Sequence, residues 1–180
     1  GQVFFVHNRI EDIEKIANSI KAIVPKARIV AAHGQMPERE LERAMTKFIR
    51  AEVDILVSTA IIESGIDIQN ANTIIVNRAD MFGLADLYQL RGRVGRFKRK
   101  AFAYFLIPRG LIMTSDVQKR LHAIKRFTEL GSGFKIAMED LQLRGAGNLL
   151  GAQQHGYIEA VGFDLYCRLL KSAVTSIKAA

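Results

Sequence analysis

Residues 89 to 100 read QLRGRVGRFKRK, six basic side chains in twelve, with glycines set between the first three arginines. A plain basic run tracks phosphates, whereas a guanidinium fork fixed in one place neutralises a transferring γ-phosphate. Gly92 and Gly95 let the backbone bearing Arg93 and Arg96 approach another surface closely. Helical spacing, continued from a helix that carries Gln89, puts the two arginines on one face. A solvated basic helix end is the other reading, and it gives no reason for the glycine spacing.

Two further turns carry groups suited to phosphates. In STAIIESGIDIQNAN (58 to 72), Ser58 and Thr59 offer hydroxyls to a phosphodiester, and Asp67, two residues after Gly65, offers a carboxylate to a ribose hydroxyl. A capped turn with Glu63 and Asp67 merely solvated is the alternative. In AAHGQMPERE, His33, Gly34, Gln35 and Met36 precede a helix expected to open at Pro37. Backbone N–H groups there can hold a phosphate oxygen, with His33 or Gln35 adding a side-chain contact. An ordinary strand-to-helix turn explains the same residues.

Such turns need a sheet to hold them. Short apolar runs at 2 to 7, 27 to 32, 54 to 59, 73 to 77 and 101 to 107 read as buried strands. Amphipathic segments at 11 to 24, 37 to 50 and 85 to 94 read as the helices between them. The expected fold is α/β, a parallel sheet with helices on both faces. After Pro108 the pattern becomes helical, with helices expected at 114 to 130 (capped by Thr114 or Ser115), 133 to 142 and 160 to 178, and a glycine- and glutamine-rich stretch before the last. A boundary is placed near residue 110.

Composition narrows the function classes. The 180 residues are 49% hydrophobic and carry a net charge of +8. From Asp86 to Arg126 eleven basic residues face two acidic ones, so the positive charge is concentrated as on a polyanion-binding surface. No apolar run reaches the roughly 20 residues of a membrane span. The single cysteine, Cys167, excludes an internal disulfide and fits a reducing, cytoplasmic setting. One cysteine and four scattered histidines propose no metal site. RGAGNLLG misses a dinucleotide fingerprint at Leu150. Gly-Lys never occurs, so no phosphate loop of the GxxxxGKS/T type exists here, and there is no DExH or DEAD tetrad. A complete phosphoryl transfer needs more protein than this, and the opening strand without an initial Met leads us to expect an upstream portion.

Taken in order, the turns resemble the second RecA-like lobe of superfamily 2 helicases and translocases. QVFFVHN resembles motif IV, STAIIESGIDI motif V, and QLRGRVGR fits the motif VI pattern QxxGRxGR. MEDLQLRGAGNLLGAQQHG is similar to the translocation motif shared by RecG and the transcription-repair coupling factors. The segment 61 to 96 and GFDLYCRLL look nearer to the coupling factors.

The resemblance implies a RecA-like lobe over 1 to 112 and a translocation-motif hairpin, loop and C-terminal helix over 113 to 180. It implies ATP contact by Gly65 and Asp67, arginine fingers at Arg93 and Arg96, and a coupling role for Gln89. ATP and Mg would be held mainly by the first lobe of the same protein. Ser58, Thr59, His33, Gly34 and Gln35 would grip the backbone of double-stranded DNA, and Arg120, Arg144 and Gln154 would couple nucleotide state to movement. The activity implied is a DNA-dependent ATPase and translocase in transcription-coupled repair. RNA polymerase and UvrA would be engaged by domains outside this chain, and the isolated piece would be inactive. A passive nucleic-acid tracker and an RNA helicase lobe are the competing readings.

Overall fold

Runs rich in Val, Ile and Phe are stabilised where helices cover a sheet, though the run at 101 to 107, expected to be buried, lies at the edge of the sheet with Phe102, Tyr104 and Leu106 exposed. The computed structural model describes residues 1–60, 70–95, 100–127 and 132–143. The chain divides into two compact units, Gly1–Ile112 and Met113–Ala180.

In the first unit, strands β1 (Gln2–Val6), β2 (Ile29–Ala32), β3 (Ile55–Ser58), β4 (Ala71–Val76) and β5 (Phe102–Phe105) form one parallel sheet in the order β2-β3-β1-β4-β5. Helices α1 (Ile13–Ile23), α2 (Glu38–Ile49) and α3 (Leu84–Arg91) connect or follow the strands. The step from β1 to β2 runs toward one edge, while the steps from β2 to β3 and from β4 to β5 run toward the other. Right-handed crossovers therefore put α1 on one face and α2 and α3 on the opposite one.

Packing follows the alternation of the strands. Ile13 and Ala17 of α1 bury against Val57, with Phe5, Ile29, Ala31 and Ile55 around them. The residues pointing the other way, Phe4, Val6, Leu56, Ile74 and Val76, are also buried. To the core α2 contributes Ala44, Met45 and Phe48, and α3 contributes Leu84, Leu87 and Leu90.

Several helix boundaries differ from the sequence reading by a few residues, and two of them bear on the turns. Pro37 is the residue before α2 rather than its first residue, with an extended backbone and its carbonyl accepting from Glu40 and Leu41. The third helix stops at Arg91 instead of reaching 94: Gly92 caps it, the Arg93 N–H donates to the Leu90 carbonyl in a tighter turn, and Gly95 then takes the left-handed region at φ 84. A Cβ at Gly95 would also meet that of Ala101 at 2.8 Å, so this position does require glycine.

At the entry to the sheet, Arg28 and Asp54 fasten the starts of β2 and β3. The Asp54 carboxylate accepts from the Arg28 backbone N–H (2.8 Å) and from its guanidinium Nε (3.1 Å) and Nη2 (2.8 Å). Those bonds, the guanidinium first and the backbone N–H second, hold the Asp54 pKa at about 2, below the ordinary 3.8. A depressed carboxyl stabilises the fold fully above its unfolded pKa and loses that contribution as pH falls from near 3.8 through about 2. An NMR titration is expected to find Asp54 at about 2 in the wild type, moving up toward the ordinary value in Arg28→Ala.

In the second unit, α4 (Ser115–Arg126) begins at Thr114, whose Oγ1 accepts from the Val117 N–H, and α5 (Gly133–Leu143) follows and packs with it. The helix expected at 160 to 178 lies outside the described residues. Among the described residues no helix is long and apolar enough to cross a membrane.

Candidate nucleotide and nucleic-acid interface

In open α/β sheets ligands gather where the strands end and the chain turns into the next element. Across β2, β3, β1 and β4 those ends carry His33, Ser58 with Thr59, His7, and Asn77 in turn.

Ser58 is fully buried and its Oγ donates to the Thr59 carbonyl at 3.1 Å. Thr59 is buried too, yet among the described residues its Oγ1 has no hydrogen-bond partner. A buried hydroxyl without a partner is costly unless something else completes it. His33 Nδ1 is in the same condition. Gly34 and Gln35 are exposed in a turn closed by the Met36 N–H donating to the His33 carbonyl at 3.1 Å. No side chain caps the start of α2, but Glu38 and Glu40 already sit in its first turn. Their carboxylates complement the helix dipole and repel an anion there, which leaves the turn residues His33 to Gln35 as the better phosphate contact.

The arginine-bearing segment is built by α3. Leu84, Leu87 and Leu90 anchor one face, so Gln89 is exposed on another. The Gly83 N–H donates to Asp86 Oδ2 at 3.2 Å and fixes the start of the helix. Arg91 is occupied, its guanidinium 5.0 Å from the centroid of the Tyr88 ring. Arg93 lies beyond the helix, its backbone N–H donating to the Leu90 carbonyl at 3.0 Å, and so is not carried on a helix face. Arg93 is half-buried, and among the described residues its guanidinium forms no hydrogen bond or ion pair. Arg120 lies on α4 of the second unit, half-buried and engaged rather than free. Gly65, Asp67, Arg96, Arg144 and Gln154 lie outside the described residues.

Sequence patterning does not single out two further residues at this edge. His7 is buried, and its Nδ1 accepts from the Asn77 Nδ2 amide at 3.1 Å. Burial pulls the His7 pKa below the usual imidazole range; Asp12 pulls it up, and Arg9 and Arg78 push it down. Nε2 lies 3.9 Å from Asp12 Oδ2, too far for a hydrogen bond. The only signal for either residue was a polar side chain ending an apolar run, in VFFVHN and in IIVN.

The helicase conserved C-terminal domain family matches residues 1–98, more than half of the chain. The chain belongs to this helicase family. As a helicase C-terminal lobe it is 60% identical over 178 residues to the transcription-repair-coupling factor of Bacillus subtilis, covering 99% of this chain and 15% of that protein. It is 58% identical over 174 residues to the factor of Staphylococcus haemolyticus, again 15% of the relative. The lobe therefore spans about 15% of the length of the curated relatives it matches. Among solved structures, RecG bound to a three-way DNA junction is similar at TM-score 0.68 and 32% identity, covering 94% of this chain and 22% of that one. The C-terminal domain of the DEAD-box protein Dbp5, at TM-score 0.56 and 19% identity over 71% of this chain and 69% of its own, shares the RecA-like fold.

Proposed function

We propose that this chain is the C-terminal motor lobe of an ATP-driven double-stranded DNA translocase that displaces stalled RNA polymerase in transcription-coupled repair. The observation that carries this reading is the reach of the likeness. The general helicase match ends at residue 98, while 60% identity to a transcription-repair-coupling factor continues through the second unit.

The roles fall to the residues as follows. Thr59, with Ser58 at the same strand end, and His33, Gly34 and Gln35 one strand away hold the backbone of one DNA strand. Arg93, with Arg96, reaches a γ-phosphate across a cleft from the partner lobe, and Gln89 on the exposed side of α3 links the two sites. Gly65 and Asp67 touch the nucleotide, and Arg120, Arg144 and Gln154 relay its state to movement along the duplex. ATP and Mg are held mainly by the first lobe, and RNA polymerase and UvrA are engaged by other domains of the whole protein. That no described residue pairs with the Arg93 guanidinium supports the finger role, because charge stabilisation in the transition state needs a group not already neutralised.

The test is ATP turnover of the full-length protein with duplex DNA and, separately, with single-stranded RNA. Strong stimulation by duplex and little by RNA is expected, with no turnover by residues 1 to 180 alone. Stimulation by RNA of equal size would instead assign the lobe to an RNA helicase.

A further inference from the structure

The sheet edge holds a buried histidine to which no role has been given. His7 stands between the two groups of residues to which roles are proposed. Its backbone N–H donates to the Ser58 carbonyl at 2.8 Å, which ties the end of β1 to the strand that bears Thr59. Its ring accepts from Asn77 at 3.1 Å, which ties the same point to the end of β4. An amide nitrogen can only donate, so Nδ1 is the acceptor and the ring proton resides on Nε2.

Beyond Asn77 the chain is held firmly. Arg78 takes a left-handed backbone (φ 57), uncommon for a residue with a long side chain. Its guanidinium clasps Asp80 through Nε (3.0 Å) and Nη2 (2.8 Å), and Asp80 is itself buried. The Ala79 N–H donates to the Leu106 carbonyl at 2.9 Å, and the segment then passes through Gly83 into α3. The path from Thr59 to α3 thus runs through His7, Asn77, the Arg78–Asp80 pair and the buried Ala79 and Phe82. Among the described residues the His7–Asn77 bond is its one link between side chains at the ends of different strands.

We infer that His7 is a positioning residue that transmits engagement of the Ser58–Thr59 strand end to the α3 segment bearing Gln89 and Arg93. The inference rests on the motor reading above. Without the ring, the ends of β1 and β4 are joined by the backbone bond from Asn77 N–H to the Val6 carbonyl, which holds the sheet but fixes neither side chain.

The test uses the full-length protein with wild type, His7→Leu, Asn77→Leu, the double variant and His7→Gln, each measured for basal ATP turnover, duplex-stimulated turnover, duplex affinity and Tm. Each single leucine variant is expected to lose about tenfold in stimulated turnover, a coupling of ordinary size, with basal turnover and duplex affinity unchanged. The double variant is expected to lose no more than either single one, because both remove the same bond. Gln at position 7 is expected to restore most of the stimulation, since its Oε1 can accept from Asn77. Retention of full stimulation by His7→Leu overturns the inference. So does a parallel fall of basal rate, stimulated rate and Tm, which marks a packing role, and so do losses that multiply in the double variant. A wild type that duplex DNA does not stimulate overturns the motor reading itself, a result visible before any variant is compared.

Discussion

Full-length protein carrying Arg93→Ala is expected to lose ATP turnover by about 10³-fold or more, the loss typical of a removed arginine finger. That corresponds to about 4 kcal/mol of transition-state stabilisation. The expectation starts from the position of the residue. The side chain emerges just past the C-terminal end of α3, on a turn closed by the left-handed backbone of Gly95, and no acidic group among the described residues neutralises it. A cation so placed is available to a charge that develops outside the lobe. If it acts only in the transition state, kcat and kcat/KM fall together and ATP affinity changes little. Arg93→Lys is expected to recover a small part of the rate, because the ammonium keeps the charge but not the planar fork. Duplex affinity and its salt dependence are the counter-test. A passive phosphate tracker would lose affinity, and its log–log salt slope would fall by about 0.9 for the one phosphate released, while any ATP turnover stayed intact.

The sheet was legible in the sequence because its strands are written as unbroken apolar runs, although the run at 101 to 107, expected to be buried, forms the edge strand β5 with Phe102 and Tyr104 exposed. Four of the five shrink by one to three residues at their ends. β4 instead starts earlier than its run suggested, at Ala71, where Gln2 pairs with it across an irregularity in register. Helix limits were less legible. Nothing in LRGRVGR tells periodicity that the helix is over at Arg91, where the bonding tightens to the Arg93 N–H with the Leu90 carbonyl ahead of the left-handed Gly95. Gly92, by contrast, keeps an ordinary helical backbone, so the two glycines of the motif do different things. Thr59 could be singled out as a hydroxyl at a strand end, but its unpartnered state could not. The pairing of His7 with Asn77 was wholly hidden. The residues are 70 apart in sequence and meet because Val6 and Val76 are in register on adjacent strands, which requires the strand order as well as the strands.

Phe48→Ala is expected to destabilise the fold by about 3–5 kcal/mol, a large part of the roughly 5–15 kcal/mol that holds a typical domain together. Phe48 is fully buried near the C-terminal end of α2, where its carbonyl accepts from Gln2 Nε2 at 2.7 Å, as does that of Val53. The Phe48 carbonyl also accepts from the Ala51 N–H at 3.0 Å, so the Gln2 amide adds a further bond at this helix end, and it survives the substitution because its acceptors are backbone atoms. What is lost is the ring alone, and with it the main anchor of α2 to the sheet. Ile49 provides the contrast, since it is the next residue and is 46% exposed. Ile49→Ala is expected to stay within about 0.5 kcal/mol. Urea denaturation of the three proteins checks this, with the midpoint moving and the m-value constant if only stability has changed. Equal small shifts at both positions would show that α2 is not anchored through Phe48. The consequence for function follows from where the helix begins, directly after the His33–Met36 turn. A loosened α2 leaves that turn unsupported, so at a temperature where Phe48→Ala remains folded, duplex affinity is expected to weaken while the Asn77 to α3 segment keeps its anchors in Leu84, Leu87 and Leu90.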